Sequence, residues 1–131
     1  MKLSFRKMVL ALACGAFCLS SCVKTEQIDV LIIGGGASGI SAGIQCARMG
    51  VPTMIVEETP WVGGMLTAAG VSCVDGNYNL QSGIFGEFAD SLAARYGGYD
   101  ALKSGWVRNI CFDPHIGQEI LSSMTEACGE V

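Results

Sequence analysis

Apolar positions fall first into one short run and then into a helical rhythm. Ile28 to Ile33 is apolar except for Asp29. The run is short and β-branched, so it reads as a strand buried on both faces. Gly34-Gly35-Gly36 then forms a turn. From Ala37 to Met49 the apolar residues recur at helical spacing, with Ile40, Ile44 and Ala47 on one face. Gly50 suits the position just past a helix end, and Pro52 blocks continuation. Thr53 to Val56 is a second buried strand, ending at Glu57. This order predicts a strand–helix–strand unit with a right-handed crossover and parallel strands.

Further on the pattern weakens. Val71 to Leu80 predicts a small hairpin around Asp75-Gly76. Ile84 to Tyr96 predicts a helix with Ile84, Phe85, Phe88, Leu92 and Tyr96 on its inner face and Gly97-Gly98 after it. Trp106 to Phe112 reads as extended. Asp113-Pro114 opens a last helix, Asp as N-cap and Pro at the first helical position. Ile116, Ile120, Leu121, Met124 and Ala127 line its apolar face, Gly129 ends it, and Glu130-Val131 begins a third strand. The fold class is α/β: a βαβ unit plus additional helices, with the sheet incomplete. A doubly wound sheet places its first strand in the middle. Here only two of its strands are expected, which leaves an unpaired edge and two helices with little to pack on. Residues 28–131 are therefore read as the N-terminal portion of a truncated domain. Completion of the sheet by a second chain is the alternative.

The first 21 residues read as an address. Lys2, Arg6 and Lys7 precede an apolar run from Val9 to Leu19. That run is shorter than the ~20 residues a bilayer span needs, and it fits the core of a secretory signal. Leu19-Ser20-Ser21-Cys22 resembles the lipobox of bacterial lipoprotein signal peptides. The resemblance implies that residues 1–21 are removed, that Cys22 is lipidated, and that 22–27 form a linker behind the anchor. The protein is then exported and held at a membrane surface of the cell envelope. Arg6-Lys7 is not a twin-Arg pair, so the general secretory route is expected. An uncleaved apolar helix or an ordinary cleavable signal is the alternative.

Composition narrows the rest. Hydrophobic residues make up 50% of the 131 and charged residues 15%, which argues against disorder. Of eight Lys and Arg, three lie in the first ten residues, so the remainder is distinctly acidic against twelve Asp and Glu. With no basic stripe, nucleic-acid binding through phosphate neutralisation is disfavoured. Seven cysteines are present, with Cys14 and Cys18 in the signal and Cys22 at the lipidation point. Cys46, Cys73, Cys111 and Cys128 remain, none in C-x-x-C spacing, so no metal or iron–sulfur ligand set is seen. They read as buried small hydrophobes. An exported protein can carry a structural disulfide, but the spacings do not choose a pair.

The residues that carry chemistry are Gly34-Gly35-Gly36-Ala37-Ser38-Gly39, a G-x-G-x-x-G turn between a buried strand and a helix. Gly34 permits the tight turn, Gly36 lets backbone approach a pyrophosphate, and Gly39 lets helix and strand pack closely. The helix then points N–H groups and its positive dipole end at the phosphates. Glu57, at the end of the second strand, can accept hydrogen bonds from a ribose diol. It would also repel a 2′-phosphate, which argues against NADP. The turn and the acid together imply a dinucleotide, NAD or FAD; a glycine-rich turn without ligand is the bland alternative.

The next segment favours FAD. Trp61-Val62-Gly63-Gly64-Met65-Leu66-Thr67 places a Gly-Gly doublet shortly after the acid. The stretch from Asp29 to Ala127 resembles the FAD-dependent oxidoreductase family, related to the flavin part of heterodisulfide reductase A-like proteins. Three patches carry the resemblance: Asp29 to Gly39, Gly63 to Thr67, and Asp113-Pro114-His115 with its helix. It implies a partial Rossmann-like fold that takes FAD at Gly34, Gly36, Ala37, Ser38, Gly39, Glu57, Gly63, Gly64 and Thr67. It implies an unknown small-molecule substrate and no catalytic residue in this stretch. If the secretory route is used, FAD must be acquired outside the cytoplasm. Some relatives bind iron–sulfur clusters, but no ligand run is visible here. The alternatives are a NAD-binding dehydrogenase module and a non-catalytic truncated lipoprotein. His115, the single histidine, reads as a solvated or capping-region residue rather than a general acid or base. Trp61, Tyr78 and Trp106 read as packing residues, and Met65 as a filler near the cofactor loop.

Overall fold

The computed structural model describes residues 25–76, 79–104 and 110–129. The signal segment, Cys22, Tyr78, Trp106 and the strand expected at Glu130-Val131 lie outside the described residues. The βαβ unit forms as the pattern predicts. Strand β1 is Val30–Ile33, helix α1 is Ala37–Arg48 and strand β2 is Thr53–Val56. β1 and β2 pair in parallel, Val30 opposite Thr53 and Ile33 opposite Val56. The Gly34 amide extends the ladder by donating to the Val56 carbonyl at 2.7 Å. Gly50 follows α1 in the left-handed region, φ 73°.

Beyond the unit come a 3-10 turn at Gly64–Leu66, strand β3 at Cys73–Val74, helix α2 at Gly83–Tyr96 and a second 3-10 turn at Tyr99–Leu102. Strand β4 (Ile110–Cys111) and helix α3 (Pro114–Glu126) follow. The Asp113 Oδ1 accepts the His115 amide at 2.8 Å, the expected N-cap. Gly97 closes α2 with φ 84°.

Three expectations need correction. The hairpin within Val71–Leu80 does not form among the described residues. Cys73–Val74 pairs antiparallel with Ile110–Cys111 instead, because a two-residue strand takes the partner that packing brings to it. The helices α2 and α3 do not lack a surface to pack on. They pack against each other and α3 against α1, so Ile40, Ile44, Phe88, Ala89, Leu92, Leu102, Ile110, Phe112 and Leu121 form one buried core. Phe88 and Phe112 meet edge to face, centroids 5.4 Å apart. Lastly, β1 is covered on one face only. Ile40 and Ile44 of α1 are buried, whereas Leu31 is 55% and Ile33 76% exposed on the other side, with Val56 beside them.

Two ion pairs bind the helices at the surface. Arg48 grips Glu87 through both guanidinium nitrogens, at 2.8 and 2.6 Å, and Arg95 meets Glu119 at 2.7 Å. Both are exposed, so they orient more than they stabilise. The core carries the stability. Leu92→Ala, at a fully buried site, is expected to cost about 2–5 kcal/mol. Leu31→Ala, on the open face, should stay within about 0.5 kcal/mol. Urea unfolding of both variants against the parent checks the contrast.

Candidate dinucleotide site

The glycine turn is built from three different constraints. Gly34 has φ 99°, a region that side chains rarely adopt. Gly39 faces the backbone: a Cβ there would lie 2.0 Å from the Gly34 carbonyl oxygen and 3.3 Å from Ile32 Cγ2. Gly36 is the opposite case. Its φ of −66° is ordinary, and a Cβ on it would meet nothing within 4 Å. Packing and backbone strain therefore do not explain a glycine at this place; the space beside it is open. Gly36 is also the N-cap of α1, so no side chain caps the helix and no acid occupies its first turn. The Ile40 amide makes the first intrahelical bond, to the Gly36 carbonyl. The amides of Ala37, Ser38 and Gly39 come before it, where a helix leaves N–H groups without internal partners. Ala37 and Ser38 are exposed.

Glu57 stands at the tip of β2 and works on the same turn. Its Oε2 accepts the Gly35 amide at 2.6 Å. Its Oε1 accepts the Thr59 amide at 2.9 Å and the Thr59 hydroxyl at 2.8 Å. The bonds from Thr59, and then that from Gly35, hold the carboxyl below its ordinary range. An ionised carboxylate has about four acceptor positions, so capacity remains for a ribose hydroxyl. The sequence pattern anticipated the acid but not its partners. Thr59 fixes its orientation, and Gly35 is pressed against it, since a Cβ there would lie 3.1 Å from Glu57 Oε2. A hydroxyl residue two positions after the acid was the available signal.

The Gly-Gly doublet closes on the turn from the other side. The Gly63 amide donates to the Gly35 carbonyl at 2.7 Å, and Gly63 bridges Gly36 in parallel fashion. Gly63 has φ 106°, and a Cβ on it would strike Thr67 and Leu121 within 2.7 Å. A Cβ on Gly64 would lie 3.0 Å from Gly36 Cα. Thr67 is buried beneath the doublet, with its hydroxyl donated to the Val62 carbonyl at 2.6 Å. It supports the doublet and does not present its hydroxyl outward. Gly34, Gly36, Gly39, Glu57, Gly63, Gly64 and Thr67 thus come together at one end of the sheet. Two grooves meet there at Glu57 and Glu58. One, of about 360 Å³, is lined by Ile33, Gly34 and Val56, and the other, of about 500 Å³, by Thr59, Gly64, Met65, Ala68 and Ala69.

His115 lies on α3 with its ring edge-on to Trp61, centroids 5.6 Å apart, and Nδ1 3.3 Å from Glu119 Oε1. Its side chain is 59% exposed. Among the described residues no three His, Cys, Asp or Glu side chains group as a metal site, and no helix is long and apolar enough to cross a membrane.

A parallel βαβ unit with an uncapped helix start, a cleared glycine and a strand-end acid defines a dinucleotide-binding module. The chain belongs to the FAD dependent oxidoreductase family, whose model matches residues 29–130. It is 36% identical over 74 residues to the mitochondrial dihydrolipoyl dehydrogenase of Dictyostelium discoideum, over 56% of this chain and 15% of that protein. It is 42% identical over 65 residues to the FAD-dependent oxidoreductase dpchF of Colletotrichum higginsianum, over 49% of this chain and 14% of that one. A 3-oxosteroid 1-dehydrogenase of Mycobacterium tuberculosis matches at 36% over 48 residues, 37% of this chain and 8% of its own. The solved structure of Thermovibrio ammonificans THI4 aligns with TM-score 0.47 and 19% identity, over 99% of this chain and 45% of that chain. The chain therefore spans about 15% or less of the length of these curated relatives. The cofactor of the family is FAD, which decides between the two dinucleotides the turn alone allowed.

The Glu57 hydrogen bonds make a pH prediction. A carboxyl whose folded-state pKa is lowered adds stability above its unfolded value. That stability is lost as pH falls through the lowered folded value. Melting temperature should therefore drop below the ordinary pKa of 4.5, and more steeply in the parent than in Glu57→Gln. Thermal melts from pH 7 to pH 3 test this, and parallel curves would exclude it.

Proposed function

We propose that this chain is the cofactor-gripping front part of an FAD-dependent oxidoreductase. The amides of Ala37, Ser38 and Gly39, at the positive end of α1, take the pyrophosphate across the cleared Gly36. Gly34 forms the turn that presents those amides, and Gly39 lets the helix start against it. Glu57 accepts a hydrogen bond from the adenosine ribose while holding the Gly35 amide. Gly63 and Gly64 line the approach from the opposite side, steadied by Thr67. When bound, FAD supplies the hydride and electron transfer, and the protein supplies binding, orientation and electrostatics. The substrate is a small molecule. No proton-transfer residue is assigned among the described residues.

The observation that carries this reading is the open space at Gly36. A substitution there separates ligand binding from folding. Gly36→Val is expected to cost the FAD-free protein no more than a poorer N-cap, about 1 kcal/mol or less, and to cut bound flavin by about tenfold or more, a difference of ~1.4 kcal/mol. Flavin absorbance per mole of purified protein measures it. Unaltered flavin content in Gly36→Val would defeat the assignment.

We propose separately that the protein is an exported lipoprotein. The charged start at Lys2, Arg6 and Lys7, the apolar run and Leu19-Ser20-Ser21-Cys22 support it. Acyl chains on Cys22 would hold the protein at a membrane of the cell envelope, and stable anchoring takes more than one chain. Labelling cells with a radioactive fatty acid should mark the parent, and Cys22→Ser should lose both label and membrane association. Persistence of the label in Cys22→Ser would exclude Cys22 as the anchor.

A further inference from the structure

Strands β3 and β4 are two residues each, too short to hold two distant segments by ladder bonds alone. Their register sets Cys73 directly opposite Cys111, 38 positions away in sequence. The Phe112 amide donates to the Ser72 carbonyl at 3.1 Å. That makes Ser72 and Phe112 a hydrogen-bonded pair and leaves Cys73 and Cys111 as the non-hydrogen-bonded pair beside it. In such a pair the Cα atoms lie about 4.5 Å apart and the side chains stand closest, within the ~4.4–6.8 Å that a disulfide spans. The two sulfurs are 2.6 Å apart, and both cysteines are half-buried rather than buried as the sequence pattern implied. Cys128 turns its thiol to the Met124 carbonyl instead, and Cys46 belongs to α1.

We propose that Cys73 and Cys111 form a structural disulfide that staples the segment after the Gly63-Gly64 doublet to the entrance of α3. Both cysteines lose a proton and together give up two electrons to a disulfide oxidant RSSR. One cysteine thiolate attacks RSSR and expels RS⁻; the second displaces the other RS⁻ from the mixed disulfide. The products are the Cys73–Cys111 bond and two RSH. Burial and the neighbouring Cys111 push the Cys73 thiol up to about 11. A raised thiol pKa leaves little of the thiolate that a cycling redox pair needs. The staple acts on the site at second hand. β4 leads through Phe112 to the Asp113 cap of α3, and Leu121 of α3 lies against Gly63.

The pairing follows from the register and does not rest on FAD binding or on export. The test equilibrates the purified full chain, native, with oxidised glutathione, then alkylates and digests it without reductant for mass spectrometry. A Cys73–Cys111 linked peptide, with Cys46 and Cys128 alkylated or glutathionylated, is the expected result. The Cys46→Ser/Cys128→Ser double variant should keep the link. Dithiothreitol should lower the melting midpoint of the linked protein by roughly 10 °C and leave Cys73→Ser unmoved. Two alkylated thiols at 73 and 111, or a link to another cysteine, would overturn the pairing. A link whose reduction leaves the midpoint in place would overturn its structural role.

Discussion

Helix α1 starts against the turn because nothing projects from Gly39 toward the Gly34 carbonyl. A single methyl there would overlap a backbone oxygen that cannot move without pulling β1 out of register. Once that contact is made, Ile40 and Ile44 are delivered to the sheet and to α3. The helix axis is then aimed, with its uncapped amides at the end of the sheet where the acid of β2 emerges. Core and site thus share one geometric condition. Packing closes the third glycine and leaves the second open, and the two needs are met three residues apart.

Local pattern was enough for the elements whose information is local. The apolar run before the triplet, the spacing of Ile40 and Ile44, Pro52 and the Asp113-Pro114 start all act within a few residues, and each element formed near its expected bounds. As structure, the turn, the strand-end acid and the doublet were legible too: Gly34, Gly39 and Gly63 have backbone or packing reasons to be glycine, and Glu57 holds the Gly35 amide. That the doublet closes on the turn was not in the pattern and is seen only in the Gly63 bond to Gly35.

What was not legible depends on contacts between distant positions. A pair of residues such as Cys73-Val74 carries no signal for its partner, so Asp75-Gly76 suggested a local hairpin that does not form among the described residues. The apolar faces of α2 and α3 were visible, but only the fold shows that each covers the other. The apolar character of β1 on both sides was read correctly as composition, yet this chain covers one side alone. Thr67 shows a subtler point. Its position within the doublet segment marked it as a ligand contact, and burial turns its hydroxyl inward to Val62.

The double duty of Glu57 has an evolutionary consequence. Changing the preference of a dinucleotide site toward a 2′-phosphorylated cofactor ordinarily begins with removing the strand-end acid, since its charge repels the added phosphate. Here that exchange would also untie the Gly35 and Thr59 amides and leave the Thr59 hydroxyl with the Trp61 carbonyl alone. If Glu57 also meets the ribose as proposed, cofactor preference and the anchoring of the turn are mutated together, with the turn then held by the Gly34–Val56 and Gly63–Gly35 bonds alone.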